Sequence, residues 1–213
     1  MIHLEKISLN IHGQTLLTRT NLAIAPSDKV VICGASGTGK SSLLKFIIGM
    51  LPWSEGSIRV NGLELSQHTV ATIRNQIAFI GQEPTLGAER VKEALLLPFA
   101  FKAHQQVQPT DELIFQTLER LHLDPAILDK PSKRISGGEK QRIAIARALL
   151  LNKSIFFADE VTSALDQESK AAVIAALFRS KITLLSVSHD PDWIKACSRI
   201  VEIKNHKLVE ATP

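Results

Sequence analysis

The sequence predicts an α/β fold with a mainly parallel core sheet, antiparallel β elements at the N-terminus and an inserted helical subdomain. Three observations carry this. Short apolar runs recur between helical patterns, an alternation that implies parallel strands joined by helices. Apolar and polar residues alternate near the N-terminus with the two-residue period of half-buried strands. Between Glu83 and Leu151 the pattern turns helical, punctuated by Pro84, Pro98, Pro109, Pro125 and Pro131. The chain therefore divides into a core, residues 1–82 and 152–213, and a helical insertion, residues 83–151.

In order along the chain, Ile2, Leu4, Ile7, Leu9 and Ile11 describe a strand with one register break, and Leu22–Ala25 resumes the pattern after a connection. Pro26-Ser27-Asp28 is a turn. Lys29–Cys33 (KVVIC) is a short apolar run, the signature of a buried strand, and the glycine-rich segment Gly34–Gly39 follows it. Ser41–Gly49 reads as a helix with Leu43, Leu44, Ile47 and Ile48 on its apolar side. Ile58–Val60 and Leu63–Leu65 flank Asn61-Gly62, a two-residue hairpin signal. Ile77–Ile80 is another strand, ending at Gly81-Gln82. After the insertion, strands return at Ser154–Ala158 and Ile182–Ser188, separated by a helix near Glu168–Phe178. Ile200–Ile203 and Leu208–Val209 form a closing hairpin. Within the insertion, Leu95–Leu97, Phe99 and Phe101 gather apolar side chains that pack its own core or line a groove for a partner helix.

Composition narrows the class. The chain has 213 residues, 45% hydrophobic and 22% charged, ordinary values for a globular domain. No apolar run approaches the roughly 18 residues of a membrane-spanning helix, and the opening MIHLEKISL lacks the basic and apolar regions of a signal peptide. A cytoplasmic location is the expectation. The net charge is +4 with Lys and Arg unclustered, so no nucleic-acid partner is expected. Cys33 lies in an apolar run as a small buried hydrophobe, its spacing to Cys197 fits no metal motif, and a cytosolic disulfide between them is not expected.

Three motifs carry chemistry. GASGTGKS comprises Gly34, Ala35, Ser36, Gly37, Thr38, Gly39, Lys40 and Ser41 and matches GxxxxGK followed by Ser or Thr, here with Ser42 after it. It stands after a strand and before a helix, where glycines let backbone N–H groups wrap around phosphate oxygens. Lys40 should reach the β- and γ-phosphates and Ser41 should bind Mg²⁺. Alone, this motif says only that a nucleoside triphosphate binds. In the second motif, Ile155–Glu160 (IFFADE), a buried strand ends in two acids, where ligands bind in open α/β sheets. Asp159 can hold Mg²⁺ and Glu160 can orient water; a strand running into an acidic loop reads equally well by itself. The third is Ser136-Gly137-Gly138-Glu139, followed by KQRIAIARALL. Ser136 and Glu139 make a capping box ahead of a helix, and the paired glycines offer a second close-approach phosphate site.

This third segment resembles the signature sequence of the ABC ATPases, with Ile135 for the frequent Leu and Glu139 for the frequent Gln. The remaining motifs follow that family's order: Gln82 resembles the Q-loop glutamine, Ser163-Ala164-Leu165-Asp166 the D-loop, and His189 the switch histidine. The resemblance spans residues 2 to 210. It implies a P-loop ATPase of the ABC type that uses ATP and Mg²⁺ and forms an ATP-dependent, head-to-tail homodimer. Lys40 and Ser41 of one subunit, with Ser136, Gly137, Gly138 and Asp166 of the other, would grip one ATP. Ser41, Gln82 and Asp159 would bind Mg²⁺, while Glu160, His189, Lys40 and Gln82 would serve catalysis. An integral-membrane transporter subunit is the implied partner, docking on the insertion and the Gln82 loop and holding the chain at the inner face of the cell membrane.

Two departures stand out. The family stacks an aromatic residue on adenine, but this chain has no tyrosine, and the matching position is Ile11 or His12. Ser27-Asp28 replaces the usual Gly-acid turn. At finer grain, Glu83–Lys102 (EPTLGAERVKEALLLPFAFK), GGEKQR and EVTSALD are similar to ATPase subunits of small bacterial exporters of the iron-export (Fet) type. A soluble ABC ATPase would carry a coiled-coil insertion or two ATPase halves, and a small-molecule P-loop kinase would not explain the helix start at Ser136.

Overall fold

A computed structural model describes residues 1–11, 13–52 and 55–211. The chain opens with β1 (Ile2–Ile11) and β2 (Gln14–Ile24), then β3 (Lys29–Cys33) and α1 (Lys40–Ile47). β4 (Glu55–Val60) and β5 (Leu63–Glu64) flank Asn61-Gly62, and α2 (Val70–Asn75) leads into β6 (Ile77–Ile80). The insertion holds α3 (Val91–Leu96), α4 (Asp111–Arg120) and α5 (Gly137–Leu150). β7 (Ile155–Asp159), α6 (Gln167–Leu177), β8 (Thr183–Val187) and α7 (Pro191–Ala196) follow. The hairpin β9 (Arg199–Lys204) and β10 (Lys207–Ala211) closes the fold.

Two sheets result. One is antiparallel, in the order β2-β1-β4-β5; the other runs β10-β9-β3-β8-β7-β6, parallel except for the β9–β10 edge. β7 and β8 are buried along their whole length, as parallel strands covered on both faces must be. Their side chains alternate between two apolar layers. Val30, Ile32, Ile155, Phe157 and Leu185 pack with α1 and the antiparallel sheet. Val31, Phe156, Ala158 and Leu184 pack with α5, α6, α7 and the insertion. Each fully buried Phe or Leu contributes about 1.5–3 kcal/mol of transfer free energy, so the core sheet is held from both sides. The insertion shares the second layer rather than enclosing a core of its own.

The expected strands and helices appear with ends shifted by up to three residues, and several readings change. β2 begins at Gln14, well before Leu22. Leu16 and Leu17 are both buried, and Arg19 takes a φ of 38°, so the strict alternation that marks a strand is broken there. Helices α2 and α7 were not expected; each has six residues with a single buried one, Ile73 and Trp193, too little for a visible apolar stripe. Cys33 is half-buried rather than enclosed, with Sγ 4.0 Å from the carbonyl oxygen of Ser188. Leu95 and Phe99 belong to the core, whereas Phe101 is 61% exposed. Among the described residues, no helix is long and apolar enough to cross a membrane.

Candidate active site

The site lies where β3, β7 and β8 end. Their parallel register sends all three C-terminal ends to one edge of the sheet, the edge at which open α/β sheets bind ligands. From β3 the chain enters the glycine-rich loop. Gly39 caps α1 at φ 98°, and a Cβ there would meet Leu16 Cδ1 at 2.9 Å, so only glycine fits. Lys40 then starts α1. Its ammonium turns back into the loop and donates to the carbonyl oxygens of Gly34 at 3.0 Å and Ala35 at 2.9 Å. Thr38 Oγ1 also donates to Ala35, at 2.9 Å, which tightens the turn. The loop thus carries a positive group and a helix N-terminus on one concave backbone, the combination that suits phosphate.

The Ser41 hydroxyl donates to Asp159 Oδ1 at 2.8 Å. Asp159 ends β7 and is buried. A hydroxyl and a carboxylate at this separation form a hard-oxygen pair suited to Mg²⁺, which takes its remaining ligands from phosphate and water. Glu160 comes next, at a φ of 51°. This left-handed conformation costs a non-glycine residue about 1–2 kcal/mol, and it breaks the strand's alternation so that Glu160 leaves the buried path of Asp159. The Glu160 N–H donates to the carbonyl oxygen of Val187 at 2.9 Å, which holds the turn against β8. His189, just past β8, brings Nε2 to 3.4 Å from Glu160 Oε1; the two side chains are 58% and 18% exposed.

A cleft of about 600 Å³ joins these groups. Ser36, Gly37, Gly39, Lys40, Ser41 and Ser42 line it from the phosphate loop and the start of α1. Gln82, Glu160, His189 and Ile11 also line it. His12 lies outside the described residues. Gln14 and Leu16 also line the cleft, and motif reading missed both, because their position comes from the β1–β2 hairpin and from no phosphate-binding pattern.

Ser136, Gly137 and Gly138 do not line this cleft. They open α5, where Ser136 Oγ accepts from the Glu139 N–H at 3.1 Å and Glu139 Oε2 accepts from the Ser136 N–H at 2.7 Å. The capping box is therefore complete. That hydrogen bond from the Ser136 backbone, aided by its side chain and by Lys130 and Arg142, holds the Glu139 carboxyl below its ordinary value despite partial burial. Gly138 packs close to the segment after Glu160: an added Cβ would lie 3.2 Å from the carbonyl oxygen of Ala164. Asp166 likewise stays outside the cleft. Its carboxylate accepts from the Ser169 N–H at 2.8 Å and the Ser169 hydroxyl at 2.9 Å, capping α6. These two bonds turn the Asp166 carboxylate onto α6 as its cap.

The profile of the ABC transporter family matches residues 17–163. The "Probable iron export ATP-binding protein FetA" of Escherichia coli (strain K12) is 30% identical over 97% of this chain and 92% of its own length. The glutathione/L-cysteine transport system ATP-binding/permease protein CydD of Haemophilus influenzae is 35% identical over 96% of this chain, which spans 35% of that longer protein. Among solved structures, the dimeric post-hydrolysis state of the ATP-binding cassette MJ0796, bound to ADP and Pi, aligns with a TM-score of 0.85 at 25% identity, covering 100% of this chain and 98% of that one. With its phosphate loop, acidic pair and α5 start in the order that the family keeps, this chain belongs to the ABC transporter family and is an ABC ATPase domain, its substrate ATP with Mg²⁺.

Proposed function

We propose that two copies of this chain close around two ATP molecules and that hydrolysis drives a separate integral-membrane subunit. The observation that carries this reading is a separation. Lys40, Ser41, Asp159, Glu160 and His189 converge at one cleft, while the glycine-rich start of α5 takes no part in lining it. A second phosphate-binding helix start is explained if it completes the cleft of another copy. Lys40 leaves the Gly34 and Ala35 carbonyls for the β- and γ-phosphates. Ser41 and Asp159 hold Mg²⁺, which when bound neutralises charge on those phosphates. Glu160 orients the attacking water and takes its proton, and His189 steadies the water and the γ-phosphate. The water oxygen bonds to the γ-phosphorus as the bond to ADP breaks, so positioning and electrostatics supply most of the catalysis.

Ser136, Gly137 and Gly138 of the second copy bind the γ-phosphate from the far side, with Asp166 at the same junction. Gln82, on the cleft wall before the insertion, couples hydrolysis to the membrane subunit, which keeps the chain at the inner face of the cell membrane. Kinship with FetA supports a metal such as iron as the exported cargo.

The test uses Glu160→Gln, which keeps the shape of the side chain and loses the base. Loss of a positioned base costs about 10²–10⁴ in rate, so this variant should bind Mg-ATP, stall and accumulate as a dimer in light scattering. Adding Ser136→Arg should return it to monomer. A variant that stays monomeric at saturating ATP and hydrolyses at the parent rate would refute the shared site.

A further inference from the structure

The two half-sites of one chain are far apart in sequence, yet α5 touches both. Gln141 lies on α5 and is 2% exposed. Its Nε2 donates to the carbonyl oxygen of Gly81, the peptide immediately before Gln82, at 3.4 Å. Six residues further along α5, half-buried Arg147 grips the chain on the other side of Gln82. Its guanidinium donates to the carbonyl oxygens of Thr85 at 3.3 Å, Leu86 at 3.2 Å and Ala94 at 3.4 Å. A desolvated cation is costly unless it is bonded, and an apolar side chain would fill the same space. What the guanidinium adds is a directional hold on three backbone oxygens. Beside Gln141, Arg142 donates to the Leu121 and His122 carbonyls at 3.1 and 2.7 Å, and at the start of the helix Gly138 abuts the loop that follows Glu160.

We infer that Gln141 and Arg147 are positioning residues: they tie the backbone flanking Gln82 to α5, so that the cleft wall and the Ser136 start move as one body. This inference rests on the shared-site reading. An α-helix rises about 1.5 Å per residue with its backbone bonds satisfied internally, so a displacement at Gly81 or Leu86 is carried to Ser136 with little loss. ATP engaging Gln82 in one copy's cleft then sets the orientation in which that copy offers Ser136 to its partner. The link runs through backbone carbonyls, so it is independent of the side chains at positions 85, 86 and 94.

The test compares Gln141→Leu, Arg147→Met and the double variant in the full chain. Binding of a fluorescent ATP analogue to the single chain should stay within about twofold of the parent, whereas kcat, and ATP-dependent dimer formation read in the Glu160→Gln background, should fall about 3- to 30-fold, the range for residues that carry coupling between sites. Both losses should be smaller in Arg147→Lys, which keeps the charge without the fork. The double variant should lose less than the product of the two single losses, as residues on one link do. Circular dichroism separates these losses from unfolding; if Arg147→Met fails to fold, Gln141→Leu decides. Unchanged kcat and dimerisation in an active parent overturn this inference alone, as does ATP binding that weakens in step with kcat. A parent that neither dimerises nor hydrolyses overturns the shared-site reading, and this inference with it.

Discussion

Lys40 sits with its ammonium already inside the phosphate loop, held by two carbonyls that phosphate oxygens would replace. A charge-assisted hydrogen bond contributes about 1.5–3 kcal/mol, so Lys40→Ala should weaken Mg-ATP binding about 10- to 100-fold while thermal unfolding changes little. Titration calorimetry reads the affinity, and near-parent binding and turnover would remove this residue from the site. Lys40, Ser41, Asp159 and Glu160 were legible in sequence because their spacing is a local property: a strand, a tight turn and the residue after it are contiguous. Ile11, Gln14 and Leu16 carry no such signal. Their approach to the cleft depends on where the first hairpin lies against α1, and Leu16 matters because it fills the space beside Gly39.

Helix α5 shows how one element carries two duties. Its capping box satisfies the N–H groups of Ser136 and Glu139, and its two glycines keep the same end open. Ser136→Ala should lower stability by about 1 kcal/mol, which for a chain of this size is a shift of roughly 2–4 °C in the unfolding midpoint. Ser136→Asn restores the cap. Differential scanning calorimetry should therefore return Ser136→Asn close to the parent, while its Mg-ATP hydrolysis stays reduced if the serine hydroxyl itself contacts phosphate. Full activity in the asparagine variant would leave Ser136 with a capping duty alone. The helix was legible from its S-x-x-E start and apolar period. Its grip on the backbone flanking Gln82 was not, because Gln141 and Arg147 read as ordinary polar positions until the fold lays that backbone against them.

Over the whole molecule, acid stability follows from three carboxylates. Glu139 is lowered by the Ser136 backbone and side chain, and Asp166 chiefly by the Ser169 backbone. Burial pushes Asp190 up, yet Lys170 at 2.7 Å and the N–H groups of Trp193 and Asp192 together hold it below its ordinary value. A carboxyl depressed in the folded state binds fewer protons there than when unfolded. Its contribution is thus complete above the unfolded value near about 4 and is lost as pH falls through the folded value. The unfolding midpoint should be flat from about pH 7 to 5 and decline below about 4. Asp190→Asn with Asp166→Asn should flatten that decline, and an undiminished slope would assign acid lability to other groups. Sequence was sufficient for the family, the core strands and the order of the motifs, since each rests on short-range period, turn residues or contiguous spacing. Long-range packing settled the rest. It placed β2 from Gln14, drew the insertion into the sheet's own apolar layer and left the α5 start outside the lining of the phosphate-loop cleft. Those outcomes depend on which surfaces are buried together, and a residue's neighbours along the chain do not specify its neighbours across the core.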